Sequence, residues 1–534
     1  MGTYLDPGNN SFKIILNGNY VDKTGLLDYI NSTVDTPMKL TCFSRPRRFG
    51  KSFAAKMLCA YYDRSCDSRS LFAGLEISGS PSFERYLNKY DVIYLDITRF
   101  ISLTSDISNI VQELQVAVTE ELRQAYPDCV RENERTIANA LMGVTHRTSH
   151  KFIVIIDEWD ALFREAKDDE ALQKEYVQLL RGLFKGGTAT DETIAAAYMT
   201  GILPIKKYGT ESALTDFKEY SMVEPFTLSR YIGFTEQEVQ ALCEEQHADF
   251  VKMKQWYDGY SFSDIPSVYS PNSVISALHF RKFKSYWTSS ETYESLKGYI
   301  TQNFDGLRDD IILMLGGERV SIDTGTFQND VTSFNSRNDV LTLLIHLGYL
   351  AYDEEESEVY IPNLEVADAF RLAVKETDWK AVNKALARSG QLLKATINGD
   401  SDAVAAALED IHSAETSVLQ YNDENSLSCA VTIAYYTARN YYMIVRELPA
   451  GKGFADLAFL PRPGVDKPAM MIELKYNKDA DTAIRQIREK RYDGVLKDYA
   501  GRLLLVGINY DKGGKGENAK RHTCMIETWE KGCG

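Results

Sequence analysis

Two groups of residues in this 534-residue chain have the types and spacing that phosphate chemistry needs. The first is "RPRRFGKS", Arg45–Ser52, which follows the apolar run "LTCF" and opens the helix-forming stretch "SFAAKMLCAYY". A strand, a glycine-bearing turn and a helix start, in that order, make a cradle for an anion. Backbone N–H groups at the helix start point at the anion, and Gly50 gives the turn room. Lys51 reaches the outer phosphates, and the Ser52 hydroxyl ligates Mg²⁺. Arg47 and Arg48 add positive charge beside the phosphates. The general pattern, G-x-x-x-x-G-K-[ST], has glycine where this chain has Arg45, so the turn must be built differently here. "KFIVIIDEWD" supplies the rest of the site. Asp157 and Glu158 close a buried apolar run, which suits Asp157 to hold Mg²⁺ and Glu158 to polarise an attacking water. Thr200 closes the next apolar run, "IAAAYMTG", where a side chain can sense the terminal phosphate. Taken together, these residues imply a nucleotide site with Mg²⁺. A capped helix start and an N-cap cluster are the plainer readings of the two pieces taken singly.

The second group lies in "GKGFADLAFLPRPGVDKPAMMIELKYNK". Two apolar strands flank a proline-glycine loop, with Asp456 in the first strand and Glu473 and Lys475 in the second. Glu473 and Lys475 are two apart and share a face, while Ile472 and Leu474 face the other way. Carboxylates on adjacent strands can hold a divalent metal ion, and a lysine beside them can orient or deprotonate a water. That is the D-x(n)-E-x-K arrangement of phosphodiester hydrolysis. A cross-strand salt bridge on an exposed hairpin is the alternative. The helix that follows, "AIRQIREKRY", offers Gln486, Arg488 and Arg491 to a phosphate backbone.

The elements that must position these residues follow from the apolar pattern. Residues 1–230 alternate short apolar strands with amphipathic helices, the pattern of a parallel sheet covered on both faces. Strands are predicted at Leu40–Ser44, Val92–Ile97, Phe152–Ile156 and Ile194–Met199. Residues 231–415 are mostly helical in period. Within them "LTLLIHLGYLAYDEEESEVYIPN" runs from a helix through a glycine into two short strands joined by an acidic turn, like a winged-helix wing. Residues 416–534 read as a small α/β domain in the order helix, strand, loop, strand, helix, strand, with a glycine-rich basic loop near 512–520. The length asks for about two to four domains.

Composition narrows the partners. With 44 % hydrophobic and 25 % charged residues the chain is of ordinary globular type. No run of about 18 apolar residues occurs, so no membrane span is expected. Eight scattered cysteines without a C-x-x-C pair suit a reducing, cytoplasmic setting. The net charge of −16 argues against a basic coat for nucleic acid. From Gly451 to Gly534, however, 16 Lys and Arg face 12 Asp and Glu, so any nucleic-acid contact is expected there.

"YVDKTGLLDYI", "FSRPRRFGKSF", "VIIDEWD", "TGI" and "QWYDGYSF" occur in the order and context of the AAA-ATPase-like family of bacterial and archaeal proteins, which the chain resembles over roughly residues 10–290. In that family the loop reads R-P-R-R-F-G-K-S, so Arg45 agrees with the family version. Residues from about 421 to 510 resemble the PD-(D/E)XK nuclease superfamily domain that ends many such proteins. The resemblance implies a metal-dependent nuclease with Asp456, Glu473 and Lys475 at its core. Glu424, Gln486 and Tyr492 are then accessory positions, and Ala455 replaces the usual proline. It implies a P-loop NTPase domain that takes ATP with Mg²⁺, a winged-helix-like middle and a nuclease-like domain, acting on DNA or RNA, with a homo-oligomer as a further expectation. A nucleotide-dependent switch or scaffold that binds nucleic acid or protein without cleaving is the competing expectation.

Overall fold

The computed structural model describes residues 2–185, 187–205, 214–287, 296, 298–300, 306–327, 334, 336–375, 379–412, 424–450, 453–462, 464–489, 503–511 and 521–529. The chain divides into two compact units, Met1–Thr292 with Ser321–Val366, and Tyr293–Val320 with Ala367–Gly534.

The first unit is built on five parallel strands, β1 (Leu40–Ser44), β2 (Asp91–Asp96), β3 (Phe152–Asp157), β4 (Ile194–Gly201) and β5 (Lys218–Tyr220), in the spatial order β2-β3-β4-β1-β5. β1, β3 and β4 are buried along their whole length, which is why they read as unbroken apolar runs rather than alternating ones. The amphipathic helices Ile110–Ala125, Ile137–Thr148 and Glu170–Phe184 turn Val118, Leu122, Val144 and Leu180 onto Val154, Ile156 and Met199 to form the core. β4 lies between β1 and β3, with Phe43 opposite Thr200 and Ile156 opposite Met199. The carboxyl ends of three neighbouring strands therefore carry the glycine-lysine loop, Thr200 and Asp157 side by side. In open parallel sheets that edge is where ligands bind.

A small antiparallel sheet follows, made of β6 (Phe234–Thr235), β7 (Tyr260–Phe262) and β8 (Ile265–Tyr269). The chain passes between the units at β9 (Val320–Ser321). The helix Arg337–His346, opened by a Ser336/Asp339 capping box, leads through Gly348 into the antiparallel pair β10 (Ala351–Asp353) and β11 (Glu358–Tyr360). This is the helix–glycine–hairpin wing that the sequence predicts. Gly348 has φ +84°, and a Cβ there would collide with Trp287 and with Pro46 of the glycine-lysine loop.

The "QWYDGYSF" segment is the joint against which this wing packs. Tyr260 donates its hydroxyl to the Gly348 carbonyl at 2.6 Å and meets Phe49 edge to face. Asn363 Nδ2 donates to the Asp258 carbonyl at 2.7 Å, and Tyr360 donates to the Gly259 carbonyl at 3.2 Å. Gly259 itself stands at φ +116°, with the Pro362 carbonyl where a Cβ would go. Gly259→Ala combines a forbidden backbone angle with a backbone clash, so a loss of about 3 kcal/mol is expected. Urea unfolding followed by circular dichroism measures it, and an unchanged midpoint would remove the joint from the account.

The second unit carries β12 (Tyr442–Ala450), β13 (Gly453–Pro461), β14 (Ala469–Tyr476), β15 (Leu503–Tyr510) and β16 (His522–Trp529), in that spatial order. All neighbours are antiparallel except β14 and β15, which are parallel. The helix Ala480–Glu489 makes the crossover between those two, setting Ile484 and Ile487 on Met471 and Leu505. The sequence gives no sign of β12 and β16, because they are edge strands. Arg446, Glu447 and Pro449 interrupt β12, and β16 is half-exposed along most of its length. The expected basic loop, 512–520, lies outside the described residues.

Candidate functional site

The turn between β1 and the helix Lys51–Tyr62 needs the left-handed conformation twice, at Arg48 (φ +70°) and Gly50 (φ +97°). Lys51, only 3 % exposed, folds its ammonium back over this turn. Its Nζ lies 3.0 Å from the carbonyl oxygens of both Arg45 and Pro46 and 3.4 Å from Glu158 Oε1. Asp157 is hydrogen-bonded by the hydroxyls of Thr200 (2.6 Å), Tyr94 (3.3 Å) and Ser52. Burial pushes the Asp157 carboxyl up, against the hydrogen bonds from Thr200 and Ser52, so it is a group that gains from a cation. Burial would also raise Glu158, but Lys51, Arg164 and Arg47 outweigh it and hold Glu158 below the usual carboxylate range. Gly50, Lys51, Ser52, Asp157, Glu158 and Thr200 thus come together at three adjacent strand ends.

A cavity of about 660 Å³ opens beside them, lined by Arg48, Lys51, Ser52 and Glu158 together with apolar groups such as Ile15, Val21, Met57 and Phe234. Tyr20, Val21 and Lys23 of the "YVDKT" segment also line it. Lys23 Nζ reaches Glu238 Oε2 at 2.6 Å and the Arg230 carbonyl at 2.6 Å, tying this segment to the 230–238 stretch that forms another wall. Arg48 bonds the Tyr286 carbonyl at 3.0 Å, while Arg47 is half-buried and acts on Glu158 through its charge.

Arg45 points away from the cavity. It is fully buried, donates to the carbonyls of Ser221 and Tyr220, just beyond and at the end of β5, and lies 5.0 Å from the centre of the Phe262 ring. Its Nε and Nη2 have no hydrogen-bond partner among the described residues, and burial holds its pKa down to about 10. The side chain that replaces the general glycine is therefore an interior anchor between the turn and the sheet edge. Nothing in the local sequence signals this, since β5 is short and distant. Tyr94, bonded to Asp157, is likewise not apparent from sequence.

On the second unit, continuing the register Leu457↔Ile472 sets Asp456 opposite Glu473. Asp456 Oδ2 accepts the Leu474 N–H at 2.6 Å. Glu473 and Lys475, 1 % and 4 % exposed, are paired at 3.2 Å, and Lys475 also donates to the Leu474 carbonyl at 3.0 Å. Gln486 reaches from the crossover helix to the same Glu473 oxygen. Four polar side chains that the sequence singles out therefore share one face of the sheet. Charges buried this deeply in a strand are costly unless paired, and such arrangements cluster at functional sites. Arg488 faces away, paired with Glu527. Glu424 opens the helix Glu424–Ala434, its side chain outside the described residues, as are Arg491 and Tyr492.

Residues 8–210 match the family model described as a predicted AAA-ATPase, and residues 423–516 match that of the PD-(D/E)XK nuclease superfamily. The chain carries an AAA-ATPase-like domain and, C-terminal to it, a PD-(D/E)XK nuclease superfamily domain. A protein from the vnfD 5′ region of Azotobacter chroococcum mcd 1, described as uncharacterized, is 25 % identical over 306 residues. The match covers 56 % of each chain, so this chain spans little more than half the length of that relative. The ORC2 protein of Aeropyrum pernix, solved in ADPNP–ADP complexes, superposes with a TM-score of 0.31 at 12 % identity, over 67 % of this chain and 95 % of that one. The glycine-lysine loop, Asp157, Glu158 and Thr200 fall within the span matched by the AAA-ATPase-like model, and Asp456, Glu473, Lys475 and Gln486 within that of the nuclease superfamily. No helix among the described residues is long and apolar enough to cross a membrane.

Proposed function

We propose that residues 1–230 bind and hydrolyse ATP, that residues 416–534 form a metal-dependent nuclease acting on nucleic acid, and that the ATP state governs cleavage. Residues 231–415, with the wing, join the two. The observation that supports this most is the Asp456–Glu473–Lys475–Gln486 cluster, because a buried Glu–Lys pair facing a second carboxylate is a poor way to stabilise a strand.

In the ATPase-like domain Lys51 meets the outer phosphates and Arg48 borders the cavity that takes the nucleotide. Ser52 and Asp157 supply hard oxygen donors in mutual contact, which fits Mg²⁺. Glu158 polarises the water, and Thr200 links its position to that of Asp157. In the nuclease domain Asp456 and Glu473 would hold the metal. No group of three or more His, Cys, Asp or Glu able to hold a metal occurs among the described residues. Two carboxylates are nevertheless sufficient for Mg²⁺, which keeps several waters and takes substrate phosphate as a ligand. When bound, such an ion neutralises developing charge on the phosphodiester and activates water. Lys475 orients that water, while Gln486 keeps Glu473 in place.

Incubating the purified chain with single- and double-stranded DNA and RNA, with Mg²⁺ or Mn²⁺ and with or without ATP, tests the reading. Metal-dependent cleavage that changes with ATP supports it. Binding of the same substrates without cleavage under every condition would replace the nuclease by a nucleotide-dependent binding module. Lys51→Ala is expected to weaken binding of a fluorescent ATP analogue by about 10–100-fold, the worth of a charge-assisted contact.

A further inference from the structure

The turn after β3 carries more than its two acids. Glu158 stands at φ +54°, a conformation that a residue with a side chain adopts at a cost and keeps only when its surroundings enforce it. Its N–H points at Thr200 Oγ1 (3.3 Å), and the next N–H, of Trp159, donates to the Thr200 carbonyl at 2.8 Å. The backbone around Glu158 is therefore pinned to β4.

The carboxylate is pinned separately. Arg164 Nη2 donates to Glu158 Oε2 at 2.8 Å, and Arg164 Nε lies 3.2 Å from Asp160 Oδ2. That same Asp160 oxygen accepts the N–H groups of Ile202 (3.1 Å) and Leu203 (2.9 Å), just past the end of β4. Gly201 leaves room for the corner, since a Cβ there would collide with the Trp159 indole nitrogen and Asp160 Oδ1. A continuous chain of contacts runs from the backbone after Thr200, through Asp160 and Arg164, to the Glu158 carboxylate. A planar guanidinium with its two arms on two carboxylates fixes an orientation that a freely rotating glutamate cannot hold alone. A base that acts on water loses much of its effect when displaced by about 1 Å.

We infer that Arg164 is a positioning residue of the ATP-hydrolysing centre, fixing the Glu158 carboxylate where it meets the attacking water. This rests on the reading of residues 1–230 as an ATPase. The test uses the full chain and compares wild type, Arg164→Ala, Arg164→Lys, Glu158→Gln and the Arg164→Ala/Glu158→Gln double variant. Measured are kcat and KM for ATP hydrolysis, the Kd for a non-hydrolysable ATP analogue, and the melting temperature.

Arg164→Ala is expected to lower kcat by about 10–100-fold, with KM and Kd near wild type. Arg164→Lys, which keeps one ion pair and guards against loss of folding, is expected to restore part of kcat. In the Glu158→Gln background Arg164→Ala is expected to cost nothing further. An unchanged or raised kcat in Arg164→Ala overturns the inference. So does a parallel loss of analogue binding, or a further loss on top of Glu158→Gln, since either places Arg164 on the phosphates instead. A wild type that binds ATP without turning it over would defeat the hydrolysis reading and this role together. An active wild type with an indifferent Arg164 defeats this role alone.

Discussion

Replacing Glu473 or Lys475 by alanine is expected to lower metal-dependent strand cleavage by about 10²–10³-fold, with the affinity for ATP unchanged. Glu473 is the carboxylate on which Lys475 and Gln486 both converge, and Asp456 faces it from β13. Losing Glu473 removes one of the two described carboxylates assigned to the metal and leaves the Lys475 ammonium, among the described residues, with the Leu474 carbonyl as its remaining partner. Glu473→Ala also strands a buried charge, which costs about 3–5 kcal/mol, so a loss of activity by itself would be ambiguous. Glu473→Gln resolves this, because it keeps the shape and an acceptor for Lys475 and Gln486 while removing the negative charge. Cleavage of a fluorescent oligonucleotide should be lost in Glu473→Gln when it is assayed well below that variant's own melting temperature. Retained cleavage in that variant would mean that the cluster is a structural ion pair.

What the sequence made legible is what depends on near neighbours. Runs buried on both faces placed β1 to β4 within a residue or two, and period-two spacing put Glu473 and Lys475 on one face. The helix, glycine and hairpin of the wing were legible for the same reason. The rest depends on pairings far apart in the chain. Gly259 is explained by the carbonyl of Pro362, and Tyr260 by that of Gly348, about ninety residues on. Arg164 carries no motif of its own. It matters because Asp160 is fixed by N–H groups at the end of a different strand. β12 and β16 lack an unbroken apolar run in sequence, and each has one neighbour in the sheet among the described residues.

Arg45 separates these two kinds of information most clearly, and it gives the second large expected effect. Arg45→Gly, which restores the general G-x-x-x-x-G-K-S pattern, is expected to destabilise the protein by about 3 kcal/mol or more. A large interior side chain is removed from beside Phe262, and the carbonyls of Tyr220 and Ser221 lose their donor. The edge strand β5 then loses a tie to the turn that carries Lys51. Arg45→Met separates volume from charge, since a buried cation replaced by an apolar side chain of similar size is often near neutral. Its melting temperature should fall between those of wild type and Arg45→Gly. If Arg45→Gly melted like wild type and bound ATP more tightly, the arginine would be a defect in the loop. The burial of its whole side chain against two carbonyls and an aromatic ring argues instead that the loop's conformation is held from inside the sheet. The first glycine of the general pattern is then dispensable, because here the interior supplies the constraint that the glycine elsewhere makes unnecessary.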